Sequence, residues 1–323
     1  MPKSLLVIRF SAIGDLLLTA PVLQAMAHAG TEIDLLVKSR NAALCSIFPY
    51  VRSVRIWEQE QETIINPANA TYDAVLDLQG TRQSKRFTSR LNLPTATFKK
   101  PYLQRALLLW TQHSKFALTP VVERYFTAAQ TLYGDQLLEL VDLPEFRLPN
   151  YQNRPTAAYV LAVIGGSQEG KRLSTSTWKQ LLNALQASGQ TVVLLGGPAE
   201  RTKAKALQEV FPEVLDATDS SVTQGLCLVE NAALVISGDT GFMHAAALMN
   251  RPLVSFWGAT HPYLGFSPWP KRENQREVFT RSRWTPLHKH GKVPFWAKNP
   301  MNKMDVEELT TVIAKMLQGR TTP

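Results

Sequence analysis

Short apolar runs alternate with longer amphipathic stretches along this chain, and the alternation occurs twice. LLVIRF, EIDLLVK, SVRIW, AVLDLQG and TATFKK are each long enough for a strand and rich in aliphatic or β-branched residues. Helical patterns lie between or after them near residues 14–29, 40–48, 81–91, 102–113 and 121–138. Strands that recur with helices between them predict a parallel sheet covered on both faces, because parallel neighbours need a crossover connection. The alternation stops at DLPEFRLPNYQNRPTA, residues 142–157, which lacks periodicity and is rich in Pro, Asn and Arg. It then restarts with AAYVLAVIGG, QTVVLLGG, EVLDA, ALVISGDTG and PLVSFWG, with helices expected at 176–188, 199–211, 220–231 and 241–250. MDVEELTTVIAKMLQ places Val306, Leu309, Val312, Ile313 and Leu317 at helical spacing and predicts a closing helix.

The expected organisation is therefore an α/β chain of two Rossmann-like parallel-sheet domains. The first spans 1–145, a linker 146–156, the second domain 157–300, and the closing helix lies within 301–323. Two such sheets with facing strand ends would leave a cleft suited to bringing two substrates together.

The 323 residues suffice for two cores, and Lys plus Arg outnumber Asp plus Glu by 35 to 26. That balance favours an anionic partner, whether nucleic acid, acidic lipid headgroups or a phosphorylated substrate, or else serves solubility alone. Cys45 and Cys227 sit in apolar surroundings, as expected of buried thiols in a reducing compartment, and offer no metal-ligand spacing. No secretory signal is expected, and no apolar run approaches the roughly 18 residues of a membrane span. The expected location is cytoplasmic, with charge available to hold the chain at a membrane surface.

The stretch FSAIGD, residues 10–15, places a carboxylate, Asp15, where the first strand hands over to the first helix. A helix N-terminus favours an acid there, so Asp15 reads as a cap; strand carboxyl ends also present ligands in open α/β sheets, so it reads equally as a reactive group. In the second half, SGDTGFMHAAAL joins a strand to a helix. Gly238 and Gly241 permit close backbone approach, Asp239 and Thr240 supply oxygens, and the free N–H groups form a diphosphate site; His244 lies one turn further on. The same residues also read as a cap followed by a buried histidine. GGSQEGKRL carries Lys171 and Arg172, either able to neutralise a phosphate or simply to be solvated. Glu200, in LLGGPAERTKA, can accept the hydroxyls of a ribose or complement a helix dipole. Neither half contains GxGxxG or a Walker loop, which removes the simple dinucleotide and P-loop readings.

FSAIGDLLLTAPV, DLQG at 77–80, SGDTGFMHAAA and FWGATHP at 256–262, in that order, resemble the glycosyltransferase family 9 pattern of lipopolysaccharide heptosyltransferases. The resemblance implies a GT-B fold of two facing Rossmann-like domains. It implies transfer of a sugar, typically heptose from ADP-heptose, to a lipopolysaccharide inner-core acceptor. A helix N-terminus and Lys171 can balance the leaving diphosphate without a metal, so no cofactor or metal is expected. It carries the general base onto Asp15, and donor contacts onto Asp239, Thr240, Gly241 and His244, with Glu200 at the ribose and Lys171 at the phosphates. For the anionic acceptor, Arg82, Lys85 and Arg86 after DLQG are candidates, with Arg105 on a later helix; a solvated basic helix face is the alternative. The basic, aromatic-interleaved stretch with Trp284, His288, Lys289, His290, Lys292, Trp296 and Lys298 is a further candidate for acceptor or headgroup contact.

Three other readings remain open at this stage. One is a GT-B relative using another nucleotide sugar, or a nucleotide-sugar epimerase. Another is an inactive nucleotide-sugar-binding protein. A nucleic-acid binder fits the charge, but recognition-helix, RNP-like and zinc patterns are missing, so no nucleic-acid partner is expected.

Overall fold

The computed structural model describes residues 1–58, 72–152 and 155–319; Asn153 and Arg154 of the expected linker and the last four residues of the expected closing segment lie outside them. The chain divides into two compact units, Met1–Pro101 with Thr119–Arg147, and Tyr102–Leu118 with Leu148–Pro323.

The first unit is built on five parallel strands, β1 (Ser4–Ile8), β2 (Glu32–Val37), β3 (Ser53–Ile56), β4 (Ala74–Asp77) and β5 (Thr95–Thr97), in the order β3-β2-β1-β4-β5. Among the described residues the helices of the first half are, in chain order, α1 (Ile13–Leu17), α2 (Ala20–His28), α3 (Ser39–Cys45), α4 (Arg82–Thr88), α5 (Tyr102–Thr111) and α6 (Val121–Tyr133). Helices on both faces explain why β1 is apolar throughout, with Leu5 to Ile8 fully buried, instead of alternating. Ile8 pairs with Leu36 on one side and Asp77 on the other, so β1, β2 and β4 end level with one another.

The expected helix over 14–29 is broken into α1 and α2. Pro21 has no N–H to give to Leu17, and the backbone between the two helices tightens, with Thr19 N–H donating to Leu16 O at 3.0 Å. The helix expected to run to 138 stops at Tyr133, because Gly134 takes a positive φ of 72° and a 3₁₀ turn follows. The third difference is one of grouping. Tyr102–Leu118, read from sequence with the first half, belongs to the second unit. Leu108, Leu118 and Leu264 form a small core there with Phe116 and Tyr263, and Leu118 N–H donates to Tyr263 O at 2.7 Å.

The second unit carries six parallel strands, β6 (Tyr159–Val163), β7 (Thr191–Leu195), β8 (Leu215–Asp216), β9 (Leu234–Ser237), β10 (Leu253–Trp257) and β11 (Gln275–Phe279), ordered β11-β10-β9-β6-β7-β8. Helices α7 (Thr175–Ala187), α8 (Arg201–Gln208), α9 (Val222–Asn231), α10 (Gly241–Leu248) and α11 (Val306–Gln318) complete it. Edge strand β11 has no counterpart among the strands expected from sequence; QREVF is too polar to stand out. The closing helix forms as expected, with Leu309 and Ile313 in the core that Trp178 and Phe256 share.

In both sheets the strand order reverses beside the first strand, between β1 and β4 and between β6 and β9. Open parallel sheets bind ligands outside the carboxyl ends of the strands at such points.

One buried carboxylate supports the first sheet from within. Asp34 on β2 accepts from Arg52 Nε (2.8 Å), Tyr72 Oη (2.7 Å) and Arg55 Nε (3.3 Å) and is fully buried. Burial opposes its charge, but the bonds from Arg52 and Tyr72 win and bring it down to about 2. A depressed carboxylate contributes stability above its unfolded value near 3.9 and loses it as pH falls toward the folded value. Urea unfolding of the wild type should therefore lose about 2 kcal/mol between pH 5 and pH 2 from this group. Asp34→Asn should flatten that limb; an unchanged pH slope would show that the group does not contribute.

Candidate active site

In the first unit, the apolar run LLVI is followed by a charge. Arg9, next to the end of β1, is 6% exposed and donates through Nη1 to Leu78 O at 2.6 Å. Its Nη2 forms an ion pair with Asp15, and its guanidinium lies 5.7 Å from the Tyr125 ring centre. Burial opposes the charge of Arg9, yet Asp15 and its other neighbours hold its pKa above the ordinary value. Asp15 stands in the first turn of α1 and also accepts from Ala12 N–H at 3.3 Å. Both contacts fall on Oδ2, and the side chain keeps 28% of its surface open. Asp15 thus caps α1, as one reading held, and its carboxylate keeps an open side.

The DLQG turn after β4 locks this arrangement. Asp77 is fully buried and accepts from Gln79 N–H, Gly80 N–H and Ser84 Oγ–H at 2.8–3.0 Å. Burial raises its pKa against those three bonds. Gln79 Oε1 accepts from Phe10 N–H at 3.0 Å, tying this turn to the loop that carries Asp15. Gly80 has φ of 54°, and a Cβ there would sit 2.6 Å from Phe98 O. Helix α4 follows at once, burying Ser84, Phe87 and Thr88 and leaving Arg82, Lys85 and Arg86 exposed. Arg105 lies on α5 in the second unit, against the Tyr102 ring.

In the second unit the loops after β6 and β9 meet at the switch point. Lys171 Nζ lies 2.7 Å from Asp239 Oδ2, both side chains being largely buried. His244, 3% exposed on α10, stands with Nε2 3.9 Å from Asp239 Oδ1. Burial alone would raise Asp239, but Lys171 and then His244 hold it below the ordinary carboxylate value. Thr240 caps α10, accepting from Met243 N–H at 3.3 Å, and Gly241 opens the helix. The space left by Gly238 is occupied by Lys171 O, which a Cβ would approach to 2.4 Å. That glycine therefore permits a close approach of the protein's own backbone.

Arg172 takes a different partner. Its Nη1 lies 3.5 Å from Glu200 Oε1, while Glu200 Oε2 accepts from Gly197 N–H at 2.9 Å. Glu200 is 7% exposed and packs against Gly165 and Gly196, at the ends of β6 and β7. Lys203 is close by, donating to Leu173 O at 3.1 Å; burial and then Arg172 lower its pKa. His261 of the FWGATHP motif stacks on Phe279 and lies tilted against Tyr263, and burial pushes it down to about 4, so it is neutral.

The basic stretch that sequence left unplaced lies across this site. Gly291 O accepts from Gly170 N–H at 3.2 Å, and Leu287 N–H and His288 N–H both donate to Ala259 O. Gly291, at φ of 81°, lies flat against the Lys171 stem, which a Cβ would meet at 2.6 Å. Arg9 is the part of the site that sequence reasoning missed, although a lone arginine after a buried strand was a readable signal; the strap was named from sequence as a candidate contact, but nothing local marked its place beside Lys171.

Two Rossmann-like parallel-sheet units in one chain are the architecture of a GT-B glycosyltransferase. The chain belongs to glycosyltransferase family 9 (heptosyltransferase), whose family model matches residues 68–293. It is 26% identical over 294 residues to lipopolysaccharide heptosyltransferase 1 of Escherichia coli K12, a match covering 80% of this chain and 89% of that protein. Its fold is similar to that of the family 9 glycosyl transferase from Veillonella parvula (TM-score 0.77, 15% identity, 98% of each chain covered). It is also similar to that of E. coli heptosyltransferase WaaC with ADP (TM-score 0.68, 21% identity, 97% of this chain and 99% of that one).

Removing one member of a buried ion pair strands the other charge. Lys171→Met is expected to destabilise the protein by about 3 kcal/mol in urea unfolding, and adding Asp239→Asn to recover part of that loss. Equal stability of the single and double variants would show that the two groups are not coupled.

Proposed function

We propose that this enzyme transfers heptose from ADP-heptose to an inner-core lipopolysaccharide acceptor with inversion, acting on the cytoplasmic side of the membrane. The observation that carries the donor half is the Lys171–Asp239 pair at the switch point beside the N-terminus of α10. A diphosphate arriving there draws Lys171 away from Asp239 and meets the free N–H groups of the helix, so the leaving charge is balanced by protein groups and the reaction needs no metal. Asp239 and His244 then stand behind Lys171 as its orienting pair, with Thr240 and Gly241 shaping the helix end. Glu200 exchanges Arg172 for the ribose hydroxyls, and Arg172 becomes a second phosphate cation. ADP accompanies WaaC in a chain of similar fold, which supports adenosine diphosphate as the carrier here.

The acceptor half rests on Asp15. An inverting transfer needs the attacking hydroxyl deprotonated as the anomeric carbon is reached from the face opposite the leaving nucleotide, and a carboxylate within about 3 Å of that hydroxyl is competent as the base. Arg9 anchors Asp15 through one oxygen and leaves the carboxylate partly open. Arg82, Lys85 and Arg86, exposed on the helix that follows the DLQG turn, take the phosphates or carboxylates of the acceptor.

The test is transfer with purified ADP-heptose and heptose-deficient lipopolysaccharide, with the product read by mass spectrometry. Asp15→Asn is expected to lower kcat by about 10²–10⁴ with ADP affinity unchanged. Charge reversal at Arg82 and Arg86 is expected to raise the acceptor KM only. Near-wild-type turnover in Asp15→Asn overturns the base assignment, and an unaltered acceptor KM removes the two arginines from the site. Failure of the wild type with this pair, beside transfer from another nucleotide sugar, overturns the donor assignment.

A further inference from the structure

The strap beyond β11 combines two properties that folded surfaces rarely combine. Phe295, Trp296 and Trp284 are 102%, 71% and 68% exposed, although the backbone beneath them is pinned. Thr285 Oγ1–H donates to Gly258 O at 2.8 Å, Leu287 N–H to Ala259 O at 2.9 Å and Asn299 Nδ2–H to Glu169 O at 3.2 Å. Between these anchors, a turn closed by Ala297 N–H to Pro294 O at 2.9 Å carries Phe295 and Trp296 at its tip. The rings are thus held outward by a fixed frame. The same strap is charged with one sign: from Val278 to Met304 the sequence has six Lys or Arg and no carboxylate. Arg281 is paired with Asp305, whereas Arg283, Lys292 and Lys298 are exposed beside the aromatic residues in sequence.

Exposed Trp beside Lys and Arg is the composition of a membrane interface, where amphipathic rings settle at headgroup level and cations meet anionic lipid. Phe295, with nothing to hydrogen bond, leads the turn and suits acyl chains better than base edges or a polar saccharide. Among the described residues no helix is long and apolar enough to cross a membrane, so contact through this element would be peripheral.

We propose that residues 283–298 dock the second unit onto an anionic phospholipid bilayer, with Phe295 and Trp296 inserted at the interface and Arg283 and Lys298 against the headgroups. This docking does not depend on the transfer reaction and is read without donor or acceptor.

The experiment is co-sedimentation of the full chain with vesicles of phosphatidylcholine containing about one third phosphatidylglycerol, with pure phosphatidylcholine as control and tryptophan emission as a second readout. The wild type is expected to partition onto the anionic vesicles with a blue shift. The Phe295→Ser/Trp296→Ser variant should lose at least tenfold in partitioning together with most of the blue shift. Arg283→Gln/Lys298→Gln should lose roughly 30-fold, as two surface charges imply. An unchanged midpoint of thermal unfolding and unchanged far-ultraviolet circular dichroism report that both variants are folded. Wild-type partitioning no greater than on pure phosphatidylcholine overturns the proposal. So does unchanged partitioning in either variant, or binding of single-stranded nucleic acid in place of vesicles.

Discussion

The buried pair of Lys171 and Asp239 is the interaction on which the donor site proposed for the second unit depends. A lysine and an aspartate removed from water are costly unless each has the other. Here each comes from a different loop at the strand ends, after β6 and after β9. The pair therefore staples the two sides of the switch point and stores a cation at the place where a parallel sheet receives an anion. Its surroundings serve the same end. Gly238 admits the Lys171 backbone, Gly291 lies along the lysine stem, and His244 backs the carboxylate.

The first unit repeats the plan with opposite emphasis. Its switch point also holds a buried cation and a carboxylate, but there the arginine is the more deeply buried of the two and the aspartate keeps an open side. Arg9 is held by Leu78 O, and the loop carrying Asp15 is tied to the DLQG turn through Gln79. One unit thus exposes a negative group on a positive anchor, and the other anchors its lysine on a more deeply buried negative group. That inversion suits a reaction in which one partner must lose a proton and the other must lose an anion.

Much of this was legible in sequence because parallel strands buried on both faces announce themselves as unbroken apolar runs, and β1, β6, β7, β9 and β10 all do so. β11 was not, since an edge strand with Arg276 and Glu277 need satisfy only one face. The break between α1 and α2 was legible in principle from Pro21. The grouping of Tyr102–Leu118 with the second unit was not, because it rests on Leu108 meeting Leu264, far along the chain. Asp15, Asp239, Thr240, Gly241, His244, Lys171 and Glu200 stand at strand-to-helix connections, where local pattern points directly. The partners that tune them, Arg9 with Asp15 and Arg172 with Glu200, are side-chain meetings that only the folded chain defines, and the strap from 285 to 291 reaches Lys171 from more than a hundred residues away.

Calorimetric titration of the wild type and of Asp239→Ala with ADP, UDP and GDP tests the central claim most directly, that the second switch point is an adenosine-diphosphate-sugar site built around Lys171 and Asp239. The account predicts that ADP binds the wild type in preference to the other two and that Asp239→Ala loses that binding while remaining folded. Equal binding of all three nucleotides, or ADP affinity untouched in a folded Asp239→Ala, would contradict it.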